Sequence, residues 1–336
     1  MALKVKLTLL IYQVSFTCRS ISVDWLNTTI SILFFSSYVK PVLILKKIYF
    51  NVIYKDSKGV KAHSVESLMS EHFSTVAPFY SQIRTIDLDP INYIAKKLAS
   101  KSKIVAADIG CGDGRYSIKL IEKLRNRLSL TCVDNNLEML RQISQVSHYF
   151  QNLQTKYAFA EKLPFDDNSL DCIFSFNAIH HFKINEFAKE CSRVLKNNGL
   201  LFVYTRLKEQ NESNIWCKFF PDFSKKENRL FDNHSLTECI SNQTGLNLTS
   251  SEFFQHNRSS DIRTLVSKAE KKHYSTFSLY TVSEFEKSLG KFKQNIYQNF
   301  SNPENIQWVD ENIMSVFKKT VPALSFLPSI LASVIK

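Results

Sequence analysis

Glycine placement constrains this chain more than any other feature. Only seven glycines occur in 336 residues, where ordinary usage would give about 7% of positions, yet Gly110, Gly112 and Gly114 fall within five positions. They close the apolar run 103–109 and precede Ile118, Ile121 and Leu124, which recur at helical spacing. A strand, a tight turn and a helix in that order let a ligand approach the main chain, because glycine accepts left-handed backbone and carries no Cβ.

The surrounding pattern extends that unit into an α/β domain. Ile91, Ile94 and Leu98 follow helical spacing just after Pro90, and Leu128, Leu130 and Cys132 alternate into Val133 and Asp134 as a second strand. A helix is expected from about Leu137 through Leu140 and Ile143, a third strand at 157–160 and a fourth at 171–177. A helix over 184–195 should stop at Asn198-Gly199 and lead into a fifth strand at 200–204. Strands alternating with helices imply a parallel sheet covered on both faces.

After Arg206 the alternation stops. Residues 206–280 read as an insertion over the ligand-binding edge, and the group Trp216, Phe219, Phe220, Phe223 and Phe231 reads as lid core rather than as a platform for stacked bases. Thr281 and Glu284 form a capping box before a helix carrying Phe285, Leu289, Phe292 and Ile296, and the last strand pair is expected near 308–317. The domain thus runs over 63–319, between an extension at 1–62 and an apolar tail at 320–336.

The extension holds most of the charge. Of a net +12, residues 1–62 contribute +7 through nine Lys or Arg against two Asp, which leaves +5 for the rest. Apolar runs at 7–16 and 30–45 sit among those lysines. Neither reaches a clean span of ~20 apolar residues, so the segment reads as a targeting or non-native extension, with membrane association through residues 1–60 as the alternative. The 68 residues before Met69 are expected to be dispensable. Seven scattered cysteines without a CxxC pair read as reduced thiols of a cytoplasmic protein, not as a disulfide frame or a metal site.

Spacing and charge at the turn indicate its ligand. The dinucleotide pattern GxGxxG places a pyrophosphate on the helix N-terminus. Here the third glycine comes one residue early, as GxGxG, and Asp108 precedes the turn. A carboxylate there repels a pyrophosphate and suits the ammonium and sulfonium of S-adenosylmethionine. Asp134 ends the next strand, where a carboxylate can accept both ribose hydroxyls.

Four stretches in order, Asp108-Ile-Gly-Cys-Gly-Asp-Gly114, Ala160-Glu-Lys-Leu-Pro-Phe165, Asn177-Ala-Ile-His-His-Phe182 and Arg193-Val-Leu-Lys-Asn-Asn-Gly199, resemble the successive motifs of the ubiquinone/menaquinone-type class I methyltransferases over about 71–319. The resemblance implies a Rossmann-like α/β fold: a seven-stranded, mostly parallel sheet with helices on both faces, a reversed C-terminal hairpin and a lid in the C-terminal half. It implies S-adenosylmethionine held by Asp108, Gly110, Cys111, Gly112, Gly114, Asp134, Asn135, Phe159, Ala160, Glu161 and Asn177. Many relatives carry an acid where this chain has Phe159. Further on, Tyr204 to Gln210, Ile215-Trp216, Phe220-Pro221, Arg229-Leu-Phe231, His273 to Phe277 and Trp308 to Asn312 resemble a chemically unassigned branch of bacterial-type methyltransferases.

Methyl transfer from a sulfonium needs alignment and exclusion of water, with a base only where the acceptor is protonated. His180 and His181 follow the fourth strand at the carboxyl edge of the sheet and are candidates for a substrate contact or base, with packed histidines as the alternative; Arg206 could line the acceptor pocket. The leading reading is methylation of a small molecule. The runner-up is wobble-uridine methylation of tRNA, because Ile179 to Phe182 and Glu209-Gln210 also resemble the tRNA carboxymethyl-uridine methyltransferases, although the body lacks a Lys/Arg stripe. A non-catalytic partner protein that retains the fold is the third reading.

Overall fold

The structure is a computed structural model that describes residues 19–25, 28–34, 65–242 and 244–320. The chain divides into two units, Met1–Ala62 and His63–Lys336. In the first, strands β1 (Arg19–Trp25) and β2 (Thr28–Phe34) form an antiparallel hairpin with Trp25 opposite Thr28. The rest of the extension and the tail from 321 lie outside the described residues, as does the proposed linker at 55–59. No described helix is long and apolar enough to cross a membrane.

The second unit is built on a seven-stranded sheet of order β5-β4-β3-β6-β7-β9-β8. Its strands are β3 (Ile104–Ile109), β4 (Leu128–Asp134), β5 (Leu153–Tyr157), β6 (Leu170–Phe176), β7 (Leu195–Thr205), β8 (Leu246–Ser260) and β9 (Ile306–Lys319). The pairs from β5 to β7 are parallel, and β9 runs antiparallel to both β7 and β8. This is the class I arrangement that the resemblance implies, including the reversed strand.

The sheet is filled from both faces because successive residues of a strand point to opposite sides. Phe174, Phe202 and Tyr204 pack on one face with Ile94, Leu120 and Ile143, whereas Ile173, Leu201 and Val203 pack on the other with Phe187 and Leu236. Helices α1 (Val65–Val76), α2 (Tyr80–Ile83), α3 (Asp89–Lys97), α4 (Arg115–Leu124), α5 (Leu137–Ser147) and α6 (Ile184–Val194) lie along the order of the strands. The first of them begins four residues before Met69, whose buried side chain belongs to this unit.

Two expectations about strands need correction. The third strand lies at Leu153–Tyr157 and ends where 157–160 was expected to begin. It is an edge strand whose residues are mostly polar, with only Leu153 fully buried, so no apolar run marks it. The last strand pair is not confined to 308–317: β9 pairs with β8, which falls inside the stretch 206–280. β8 alternates weakly because it is the opposite edge of the sheet and most of its side chains are exposed.

The cap over the sheet therefore comes from two separate segments. One carries α7 (Lys208–Asn211), α8 (Ile215–Phe219) and α9 (Phe223–Lys226); α10 (Asn233–Ser241) returns to the sheet, and the second segment adds α11 (Ile262–Glu270) and α12 (Val282–Asn299). Trp216, Phe220, Phe223, Phe277 and Phe292 form the core of the cap, each at most 3% exposed. Of the aromatic group read as lid core, Trp216, Phe219, Phe220 and Phe223 belong to it, whereas Phe231 packs against the sheet core. Thr281 Oγ1 accepts from Glu284 N and Glu284 Oε2 accepts from Thr281 N, which closes the capping box of α12.

Candidate active site

The three glycines of the turn after β3 have two different physical tasks. All three have positive φ: +69° at Gly110, +57° at Gly112 and +75° at Gly114. A Cβ on Gly110 would lie 2.6 Å from Ala178 Cβ, and one on Gly114 would lie 2.6 Å from Ile143 Cγ1, so these two permit close packing. A Cβ on Gly112 would meet only Tyr80, at 3.9 Å. Gly112 therefore leaves open space beside bare backbone, the arrangement that admits a ligand.

Two carboxylates stand near the turn, of which Asp134 lines the open space and Asp108 does not. Asp108 is 1% exposed; its Oδ2 accepts from Ser117 Oγ on α4, while Oδ1 is buried with no partner. Burial raises its pKa to about 7, assisted by the nearby Asp134 and opposed by the Ser117 hydrogen bond and Arg115. Asp134 accepts from Gly112 N at 2.9 Å and from Asn136 N at 2.8 Å, one backbone donor per oxygen. Burial raises its pKa to about 6 against those hydrogen bonds. Each Asp134 oxygen keeps a further acceptor direction.

The turn is locked to neighbouring elements. Asn136 caps α5 by accepting from Glu138 N and Met139 N, both at 3.1 Å, and its amide donates to Ser70 O and Ser74 Oγ of α1. That bond holds α1 against the β4–α5 junction and brings Phe73 to the site. Burial drives the thiol of Cys111 well above its ordinary range, so it stays a neutral wall group.

A cavity of about 80 Å³ opens at the turn, lined by Gly110, Cys111, Gly112, Asp134, Asn135 and Asn177 among others. Phe159 is 52% exposed beyond the end of β5, and Ala160 is buried. Glu161 Oε1 accepts from Lys183 N at 2.8 Å, at the start of α6. Like Asp108 and Gly114, these three are not among the residues that line the cavity, whereas the cofactor candidates Gly110, Cys111, Gly112, Asp134, Asn135 and Asn177 are.

A second cavity, of about 360 Å³, lies under the cap. The two share Phe73, Tyr80, Tyr116, Asn177 and His181 as walls, so the turn opens towards the larger space. Asn177 stands in left-handed backbone (φ +52°), its N–H donates to Tyr204 O at 2.7 Å, and its side-chain oxygen accepts from Asn312 of β9. This bend turns the chain after β6 into the 3₁₀ turn Ile179–His181.

His180, His181 and Arg206 all line the larger cavity. Burial, followed by the charges of Arg229, Arg84 and Arg206, holds His180 at about 3, and burial, followed by His180 and Arg229, holds His181 well below its ordinary value. Both rings are therefore neutral at ordinary pH, and a proton taken by either would be held weakly. Arg206 donates to Glu311 O and Tyr274 Oη, each at 3.3 Å, and pairs with Asp310 at 3.3 Å.

Several residues of the site carry no local sequence signal. Tyr80, Arg84 and Asp87 precede the first helix that periodicity marks, and Arg258 stands on the unpredicted β8. Asp87 accepts from Arg258 at 2.7 Å and from Tyr204 Oη at 3.2 Å; Asp310 accepts from Arg258 at 3.1 Å and from Asn214 at 2.6 Å. This chain of alternating charges ties β7, β8 and β9 to the cap. Arg115 is buried against the rings of Tyr80 and Tyr116, 5.0 and 5.4 Å from their centroids. Tyr116, directly after the glycine motif, could have been found from its position alone. Among the described residues no cluster of three or more His, Cys, Asp or Glu could hold a metal ion.

Comparisons with known proteins agree with this geometry. Residues 107–203 match the family described as the methyltransferase domain. The ubiquinone/menaquinone biosynthesis C-methyltransferase UbiE of Rickettsia bellii is 35% identical over 167 residues, covering 45% of this chain and 66% of that protein. Its counterpart in Rickettsia felis is 37% identical over 125 residues, covering 35% of this chain and 48% of that protein. The chain thus spans just under two thirds of the first of these relatives and about half of the second. Among solved structures, a protein from Anabaena variabilis described as a methyltransferase of an antibiotic biosynthesis pathway matches 70% of the chain and 99% of its own, with a TM-score of 0.53 at 22% identity. A protein from Bacillus halodurans, also described as a methyltransferase, covers 69% of this chain and 99% of its own, with a TM-score of 0.51 at 15% identity. Sheet order, glycine turn and matched domain together identify a class I S-adenosylmethionine-dependent methyltransferase domain in this chain, related to the ubiquinone/menaquinone C-methyltransferases.

Proposed function

We propose that the protein transfers a methyl group from S-adenosylmethionine to a small molecule seated in the cavity under the cap. The observation that carries this reading is the common wall of the two cavities, Phe73, Tyr80, Tyr116, Asn177 and His181, which sets a nucleotide-type turn beside a second, larger space.

The residues at the turn fit the cofactor. Asp134 would accept from its ribose hydroxyls, the open flank of Gly112 would admit it against the backbone, and the unpartnered Oδ1 of Asp108 would supply negative charge to its cationic end. When bound, the cofactor brings an activated methyl group, so the protein need not generate the electrophile. The chain has to orient the acceptor and exclude water. The cap does both: Trp216 and Phe223 close the far side, while Asn177 and His181 stand at the junction between the cavities. Neutral His180 and His181 serve as hydrogen-bonding groups that position the acceptor, since groups held so far below neutrality are poor proton acceptors.

The test is to incubate the purified protein with methyl-labelled S-adenosylmethionine and a cell extract separated into small-molecule, RNA and protein fractions, then follow label transfer and adenosylhomocysteine release. Label should appear in a low-mass acceptor. Label confined to RNA or protein fractions would contradict the reading.

A further inference from the structure

The cavity under the cap carries more positive charge than its carboxylates neutralise. Its cationic walls are Arg84, Arg206, Arg258 and Lys268. Its acidic walls, Asp87, Glu227 and Asp310, are already engaged: Asp87 by Arg258, Asp310 by Arg206 and Arg258, and Glu227 by Arg229, whose Nε lies at 2.8 Å. Neither Arg84 nor Lys268 makes an ion pair among the described residues. Arg84 donates one bond to the carbonyl of His273 at 3.2 Å and lies 4.6 Å from the centroid of the Tyr274 ring. Lys268 projects from α11, where burial first, then Arg258 and Arg84, lower its pKa from the ordinary lysine range.

Two half-buried cations near one another are costly unless a counter-charge reaches them. The cavity also presents an unmet neutral group, since Nδ1 of His180 is buried without a partner. Trp216, Phe223 and Tyr274 add aromatic surface. Neither Arg84 nor Lys268 lines the cavity at the glycine turn, so their charge faces the acceptor space and not the cofactor space.

We propose that the acceptor is a small organic anion whose carboxylate or phosphate is met by Arg84 and Lys268, with its apolar part against Trp216, Phe223 and Tyr274. The proposal rests on the methyl-transfer reading of the site. It specifies the acceptor by charge rather than by hydrophobicity alone, and it makes these two residues determinants of specificity.

The test uses the full chain saturated with adenosylhomocysteine and three probes: cinnamate, phenyl phosphate and the uncharged cinnamamide. Binding is followed through tryptophan fluorescence, since Trp216 and Trp308 both line the cavity. A hydrogen bond to a charged group corresponds to roughly a tenfold or greater change in affinity. At least one anion should bind about tenfold more tightly than the amide, and the stronger of the two distinguishes carboxylate from phosphate recognition. Arg84→Gln and Lys268→Met should each remove that preference without changing adenosylhomocysteine affinity, and Lys268→Arg should retain it. Equal binding of anion and amide, no saturable binding of either anion up to millimolar concentration, or loss of adenosylhomocysteine affinity in folded Lys268→Met would overturn the proposal. If adenosylhomocysteine fails to bind the wild type, the methyl-transfer reading beneath it falls instead.

Discussion

At the scale of single residues, the paired acids beside the glycine turn make cofactor affinity depend on pH. Asp108 and Asp134 titrate at about 7 and about 6, both above the ordinary carboxylate value because burial penalises charge. The free site therefore takes up protons as pH falls through 7, whereas the cationic cofactor favours the charged carboxylates, so binding must expel those protons. Affinity for S-adenosylmethionine should fall by roughly tenfold or more between pH 8 and pH 5.5, and Asp108→Asn should flatten the dependence. Calorimetry in buffers of different ionisation enthalpy checks the proton release. The glycines give a second contrast. Gly114→Ala places a Cβ 2.6 Å from Ile143 and should lower the melting temperature markedly, whereas Gly112→Ala meets nothing nearer than 3.9 Å. The latter should cost only the ~1–2 kcal/mol of a left-handed non-glycine residue, remain folded and weaken cofactor binding. Equal losses of stability in both variants would contradict this division of roles.

At the scale of elements, legibility tracked burial. β3, β4 and β6 lie inside the sheet, so apolar residues predominate in them and the turn that follows β3 is marked by its glycines. The two sheet edges were misplaced for the same physical reason. Leu153–Tyr157 buries one residue fully, and Leu246–Ser260 is largely exposed, so neither carries the pattern that marks a strand. With β8 went Arg258, and with the irregular stretch before α3 went Arg84 and Asp87. The cofactor half of the candidate site was thus legible because its residues sit at the ends of β3, β4 and β6, whereas the acceptor half is assembled from six separated stretches between residues 73 and 312. The cap is an element-scale claim that can be tested. Phe220 is 1% exposed and packs against Trp216, Phe223, Phe277 and Phe292. Phe220→Ala should cost ~3–5 kcal/mol in urea denaturation. A loss below about 1 kcal/mol would mean that the cap core is not packed as described.

At the scale of the whole molecule, charge separates the small-molecule reading from tRNA modification. Residues 63–336 carry +5 of the net +12. A partner contacting six to ten phosphates would lose roughly 10³–10⁵ in affinity between 50 and 200 mM salt, whereas a small anion should lose no more than about threefold. Acceptor binding measured across that range should show the shallow dependence.

The central claim is that the turn from β3 into α4 holds S-adenosylmethionine against Asp134. Calorimetric titration of the full chain with adenosylhomocysteine tests it most directly, because this ligand keeps the ribose and lacks the sulfonium charge. The wild type should bind with one-to-one stoichiometry. Asp134→Ala, with an unchanged circular dichroism spectrum, should bind at least about tenfold more weakly, the loss expected for hydrogen bonds to a charged acceptor. Equal affinity of the two proteins, or no binding to the wild type, would contradict the account.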